Sequence, residues 1–276
     1  MKIDLLKQSL YLEMESFYLI TTEDDGEDLR TIRSLMGGLV RKARKVIPAD
    51  DDVRVKIHKL LQLMYGDWGF ECDPQHYFQT ENLYLSYVLR SHRGMPVSLG
   101  CILLYLADKL ALPLYPVMFP TQLILRADVD NEVAFIDPWD GKYLNQQDLQ
   151  KLYEGAFGFG ATMSQEDLAV AKPHELRERF AQLAKSCLIR EEHNDAALKY
   201  IESRLLNYKY EDYPYKAFEP YERRDRGLVL AQMGAYHAAV EDLQYFVEKC
   251  PDDPTAFMLM AQLPEIKKEL HNDLLH

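Results

Sequence analysis

Three side chains in the middle of the chain stand where acyl chemistry would need them: Ser98 opens an apolar helix, Gln122 begins a β-prone run, and Asp137 ends another. Attack on a carbonyl wants a nucleophile, best a thiol, at a helix N-terminus, where the dipole and free N–H groups favour the anion. It also wants a His to take the proton and an acid to orient that His. This chain supplies a hydroxyl and a carboxylate, but an amide takes the middle place. An amide hydrogen-bonds without serving as a base. No His occurs between His92 and His174, so the region lacks a group titrating near neutral pH. His92 is then the nearest alternative base, and Cys101, one turn further in, reads as a small buried hydrophobe.

Each of these residues also has a plain structural reading. A Ser at a helix start is a favoured N-cap. Asp137, followed by Pro138, reads as a turn carboxylate that caps backbone N–H groups or pairs with Arg126 or Arg93. Residues 118–122 make a rim of apolar and amide groups, better suited to a small pocket or a docked peptide than to acid–base work.

The elements that would position these residues follow from apolar spacing. Leu99, Ile102, Leu103, Leu106 and Leu110 fall on one face of a helix that Pro113 stops. Runs 114–119, 122–126 and 133–136 read as strands, the last two joined by a turn at 128–131, so one helix packs on a small antiparallel sheet. Upstream, Ile32, Leu35, Met36, Leu39 and Val40, then Ile57, Leu60, Leu61 and Met64, mark helices that end near Gly66 and Gly69.

From about residue 174 the pattern is helical again, with a repeat. Gly227, Gly234, Ala239 and Pro251 fit the small-residue and proline positions of a tetratricopeptide unit covering about 220–253, with a weaker copy around Ala197. Between the copies lies a Tyr-rich insertion, in which Tyr208, Tyr210, Tyr213, Tyr215 and Tyr221 are candidate peptide contacts. They serve equally well as glue within their own region.

The 276 residues, 47% hydrophobic, bury a substantial core without metal or disulfide staples. The net charge of -12 argues against nucleic acid or an anionic membrane as the main partner, and no basic recognition helix is present. Four cysteines without CxxC spacing or His companions indicate neither a zinc site nor a disulfide framework. With no secretory leader and no long apolar run, the expected location is the cytoplasm.

The run Arg93-Gly94-Met95-Pro96-Val97-Ser98-Leu99, then Phe119-Pro120-Thr121-Gln122-Leu123-Ile124-Leu125-Arg126, then Phe135-Ile136-Asp137-Pro138-Trp139-Asp140-Gly141, resembles the bacterial SirB family. That family joins a transglutaminase-like core to tetratricopeptide repeats, and the likeness covers nearly the whole chain. The resemblance implies that Gln122 stands at the catalytic His position, Asp137 at the acid and Ser98 nearest the nucleophile.

The expected architecture is α+β and mostly helical. Residues 1–173 form a papain- or transglutaminase-like domain that includes a helical N-terminal lobe (1–75) and a small antiparallel sheet, and 174–276 form a tetratricopeptide-like helical region. The expected function is that of a catalytically degenerate interaction or regulatory module with a protein or peptide partner. No cofactor, metal, nucleic acid or membrane is expected. The rival is a weak hydrolase or acyltransferase using Ser98 with Asp137 and an unconventional base such as His92.

Overall fold

In the computed structural model, which describes residues 5–23, 27–209 and 215–273, the chain divides into two compact units. The first runs up to Leu19 and resumes through Ala184; the second takes Ile20–Glu23 and the chain from Lys185 onward.

The first unit opens with helices α1 (Leu5–Thr21), α2 (Glu27–Val46) and α3 (Val53–Leu61). Their buried positions repeat at helical spacing: Leu10, Met14 and Phe17, then Ile32, Met36 and Leu39, then Ile57 and Leu60. Asp52 caps α3 by accepting from the Arg54 N–H at 2.8 Å. The helix continues as a π-helical turn, Gln62–Asp67. The wider turn carries Tyr65, whose hydroxyl donates to the Pro138 carbonyl at 2.7 Å.

Strand β1 (Glu71–Cys72), helix α4 (Leu85–Ser91), strand β2 (Arg93–Gly94) and helix α5 (Pro96–Lys109) follow. The two short strands pair in parallel, a feature without a readable periodicity at this length. Leu99, Ile102, Leu103 and Leu106 of α5 are fully buried. Removing each from water contributes about 1.5–3 kcal/mol, which makes α5 the central element of the unit.

A four-stranded antiparallel meander then lies in chain order: β3 (Leu114–Val117), β4 (Ile124–Val129), β5 (Glu132–Ile136) and β6 (Tyr143–Leu144). Three expectations are corrected here. The second strand starts at Ile124, so Gln122 belongs to the bend before it. That strand runs through Val129, so the turn is only Asp130 and Asn131, at φ 52° and 63°. Two successive left-handed residues make the tight hairpin that matches strand twist, and Asp and Asn tolerate that conformation. Phe119, expected on a rim, is instead buried with Val117, Ile124 and Leu149.

Leu149 comes from α6 (Gln146–Phe157), a helix absent from the expected set. Its start is a capping box. The Asn145 side chain accepts from the Gln147 and Asp148 N–H groups, while the Asp148 carboxylate accepts from the Asn145 N–H. Helix α7 (Pro173–Arg190) closes the unit and leads into the second.

In the second unit α8 (Asn194–Leu205), α9 (Glu219–Gln232), α10 (Tyr236–Lys249) and α11 (Pro254–Asp273) pack each on the next. The repeat positions explain that packing. A Cβ on Gly227 would lie 2.8 Å from Leu243 Cγ and 3.2 Å from the Ala239 carbonyl oxygen, so α9 and α10 approach only because residue 227 is glycine. Gly234, at φ 79°, turns α9 into α10, and Pro251 follows the C-cap of α10. Ala197 is buried in α8, and Leu243, Phe246, Ala256 and Leu259 form the core between α10 and α11. Among the described residues, no helix is long and apolar enough to cross a membrane.

Candidate functional site

Two of the three predicted positions meet. Gln122 donates from Nε2 to Asp137 Oδ1 at 2.9 Å, and the same oxygen accepts the Trp139 N–H at 2.8 Å. Asp137 therefore caps its own turn, as one structural reading expected. It does not pair with Arg126 or Arg93, which bind Asp128 and the Glu71–Asp73 pair of carboxylates respectively. Burial pushes the Asp137 carboxyl above the ordinary range, and the Trp139 N–H and Gln122 amide only partly offset this.

Ser98 does not join them. It is the third residue of α5, not its N-cap, and it is fully buried. Its Oγ accepts the Met95 N–H at 2.9 Å and donates to the Met95 carbonyl at 3.1 Å. A Cβ on Gly94 would stand 2.6 Å from that oxygen, so backbone closes over the hydroxyl. The hydroxyl thus satisfies an orphan donor of the helix start from inside the first turn, the role of an N3 side chain in a capping box. His92, the alternative base, stacks on Phe70 with ring centroids 4.5 Å apart, and among the described residues no His bonds to Ser98.

The α5 face that packs on the segments carrying the amide–carboxylate pair is marked by Gly100. A Cβ there would lie 2.5 Å from Leu123 Cδ2 and 3.3 Å from Pro138 Cγ, the residues directly after Gln122 and Asp137. Val97, one turn earlier, shares that face, whereas Ser98 lies roughly 200° around the helix from Gly100. Val97 is half-buried. The spacing of Gly100 to Val97, three residues apart on one helix face, is the signal for this face in the sequence.

Three of the four thiols, those of Cys72, Cys101 and Cys187, are held protonated by burial. Burial pushes Cys72 up to about 12, with the charges of Asp137 and Asp73 adding to the effect. Burial likewise raises Cys101 and takes Cys187 to about 12. A thiol in this state is protonated at neutral pH and a poor nucleophile. Among the described residues no group of three or more His, Cys, Asp or Glu is placed to hold a metal. Of the three positions, the Gln122 amide cannot accept a proton, and Asp137 is the ionisable group among them.

The transglutaminase-like superfamily model matches residues 30–182, and a tetratricopeptide repeat model matches 184–264. The UPF0162 protein of Pasteurella multocida is 58% identical over 96% of this chain and 98% of its own length. The YchA protein of Escherichia coli K12 is 39% identical over 83% of this chain and 82% of its own. Protein SirB1 of Salmonella typhimurium is 41% identical over 76% of each. The chain belongs to the SirB1 family. No solved structure matches it.

For this SirB1-family member the tyrosine set divides. Tyr208 is 5% exposed and so is part of the helical packing. Tyr221 stacks edge-on against Phe246 at 5.4 Å and donates to Asp253 at 3.3 Å, which ties α9 to its own repeat. Tyr215 is half-buried, while Tyr210 and Tyr213 lie outside the described residues.

The raised Asp137 carboxyl gives a signed prediction. A carboxyl whose folded pKa exceeds its unfolded value costs stability when ionised, so its contribution improves as pH falls through the folded pKa toward about 3.8. Asp137→Asn, which keeps an acceptor for the Trp139 N–H, does not titrate. The stability of the native chain relative to Asp137→Asn should therefore rise on acidification through that window, measured by urea unfolding at stepped pH. A relative fall would mean that burial does not raise this carboxyl.

Proposed function

We propose that this chain is an interaction or regulatory module whose transglutaminase-like core, residues 1–173, no longer performs acyl transfer. The core cleft and the tetratricopeptide-like region, 174–276, take a protein or peptide partner in the cytoplasm. The observation that carries the reading is the bond from the Gln122 amide to Asp137 at 2.9 Å: the group in the base position orients but cannot shuttle a proton. The enclosure of Ser98 by Met95 and Gly94 supports it.

Tetratricopeptide repeats commonly mediate protein–protein interactions. In the second unit an open groove of about 700 Å³ is lined by Leu228, Tyr236 and Ile266 with Gln262 and the charged Glu265, Lys268 and Glu269, a mixture of apolar and polar groups that an extended peptide could meet.

The test treats the intact chain with a fluorophosphonate and with peptide amide and ester substrates. No labelling of Ser98 and no saturable turnover are expected. Turnover that disappears in a folded Ser98→Ala variant would establish the hydrolase or acyltransferase instead. A pull-down with the intact chain that returns no protein above background would count against the partner.

A further inference from the structure

Helix α11 has two apolar sides, and only one of them is buried. It packs on α10 through Ala256, Leu259 and Leu263, which share a core with Leu243 and Phe246. Around the helix from these stand Phe257, Ala261 and Pro264 at helical spacing, flanked by Met258 and Met260. All five are exposed, Phe257 and Met258 at 59% each. In a stacked-helix array each helix contacts only its neighbours, and the terminal one ordinarily turns a polar face outward. The outward face of α11 is a hydrocarbon stripe instead.

Charge sits at both ends of that stripe. Lys268, seven residues beyond Ala261, continues the same face with Lys267 beside it, and Asp252 lies just before the helix begins at Pro254. All three are exposed, and among the described residues none of them is in an ion pair. Pro254 stands seven residues before Ala261, so Lys268 and Pro254 are equally far from it, about 10 Å along the axis in each direction. When a second copy of α11 is laid antiparallel about Ala261, Lys268 of each copy comes level with Pro254 of the other, next to Asp252. Met258 comes level with Pro264. The face is its own complement in apolar area and in charge.

We propose that this face is an interface between two copies of the chain, packed antiparallel through α11, with Lys268 of each copy paired to Asp252 of the other. An unrelated partner would have to carry both a matching stripe and the reversed charges, whereas a second copy carries them by two-fold symmetry. One helix face falls below the roughly 800 Å² per partner of a standard interface, so the dimer is expected to be weak and reversible. Gln262, Ile266 and Glu269 of the groove lie on another side of α11, which leaves the groove open. Two linked copies then offer two grooves, and a partner with two binding segments gains avidity.

Sedimentation velocity of the intact chain tests this over about 1–300 μM, the range that brackets a weak interface. The mass is expected to rise with concentration from 32.2 kDa toward twice that value. Phe257→Glu, shown folded by circular dichroism, should stay monomeric throughout. Lys268→Glu should weaken association about tenfold, because two symmetric attractions become repulsions, and adding Asp252→Lys to it should restore association. A chain that is monomeric at every concentration, association that survives Phe257→Glu, an unaffected Lys268→Glu variant, or a double variant no stronger than Lys268→Glu would each overturn the interface. None of these results reads turnover or peptide binding, so the non-catalytic reading keeps its own test.

Discussion

Gly141→Ala is expected to destabilise the first unit by about 2–5 kcal/mol and to release the turn that presents Asp137. Two independent costs add. Residue 141 sits at φ 73°, where an L-residue pays about 1–2 kcal/mol. A Cβ there would also overlap the Tyr65 ring, and forcing a side chain into filled space costs typically 1–3 kcal/mol. Tyr65 cannot yield freely, because its hydroxyl is bonded to the Pro138 carbonyl in the same turn. The turn itself is closed by the Gly141 N–H on the Asp137 carbonyl at 2.8 Å and the Asp137 N–H on the Lys142 carbonyl at 2.9 Å. Urea unfolding gives the energy, and the amide resonance of Trp139, which donates to Asp137, reports the turn. Gly69→Ala separates the two costs: residue 69 sits at φ 69°, close to the 73° of residue 141, but nothing lies within 4 Å of its added Cβ. Equal losses at both positions would mean that the Tyr65 contact contributes nothing.

The parts of the fold legible in the sequence are those where one residue type has one physical reason. The α5 pattern of Leu99, Ile102, Leu103 and Leu106 admits a single buried face, and the structure buries it. Gly227 and Ala239 were readable as a close helix crossing because only small residues permit it, and the distances to Leu243 and the Ala239 carbonyl are the crossing itself. Helix α6 escaped because its outer face is amide and charged and only Leu149 is buried, although Asn145 and Asp148 announced the cap. The two-residue pairing of β1 with β2 is too short for any period to show.

The site was half legible for a related reason. Asp137 lies in a turn whose bonds are local, from its carbonyl to the Gly141 N–H and from Oδ1 to the Trp139 N–H, whereas Gln122 lies in a bend and not at the strand start that its segment suggests. Ser98 lies on a different face of α5 from Gly100, and a side chain's face on a helix is decided by its neighbours across the interface, here Leu123 and Pro138 against Gly100. Arg179 lies 57 residues beyond Gln122 in the chain, and nothing in its own segment says that it reaches the 119–120 carbonyls. Long-range polar contacts of this kind leave no periodic trace.

In the second unit the largest single loss is expected from Lys185→Met. Lys185 is 1% exposed, with Nζ 3.0 Å from Glu222 and 2.6 Å from Asp225, themselves buried. Removing one partner from a buried ion cluster costs about 3–5 kcal/mol, because the opposing charge is left without compensation in a poorly solvated place. Each acid keeps a second cation: Arg204 holds Glu222 at 2.8 Å and Arg224 holds Asp225 at 2.7 Å. The loss should therefore fall near the lower figure, about 3 kcal/mol, and pairing the change with Asp225→Asn should recover part of it by removing the uncompensated charge. Urea unfolding followed by far-UV circular dichroism measures both variants, and high salt should change the result little, since buried pairs are poorly screened. A loss below about 1 kcal/mol for Lys185→Met, the size of a solvent-exposed pair, would show that water enters the cluster and that the small-residue crossing of α9 and α10, not this charge network, fixes the repeat.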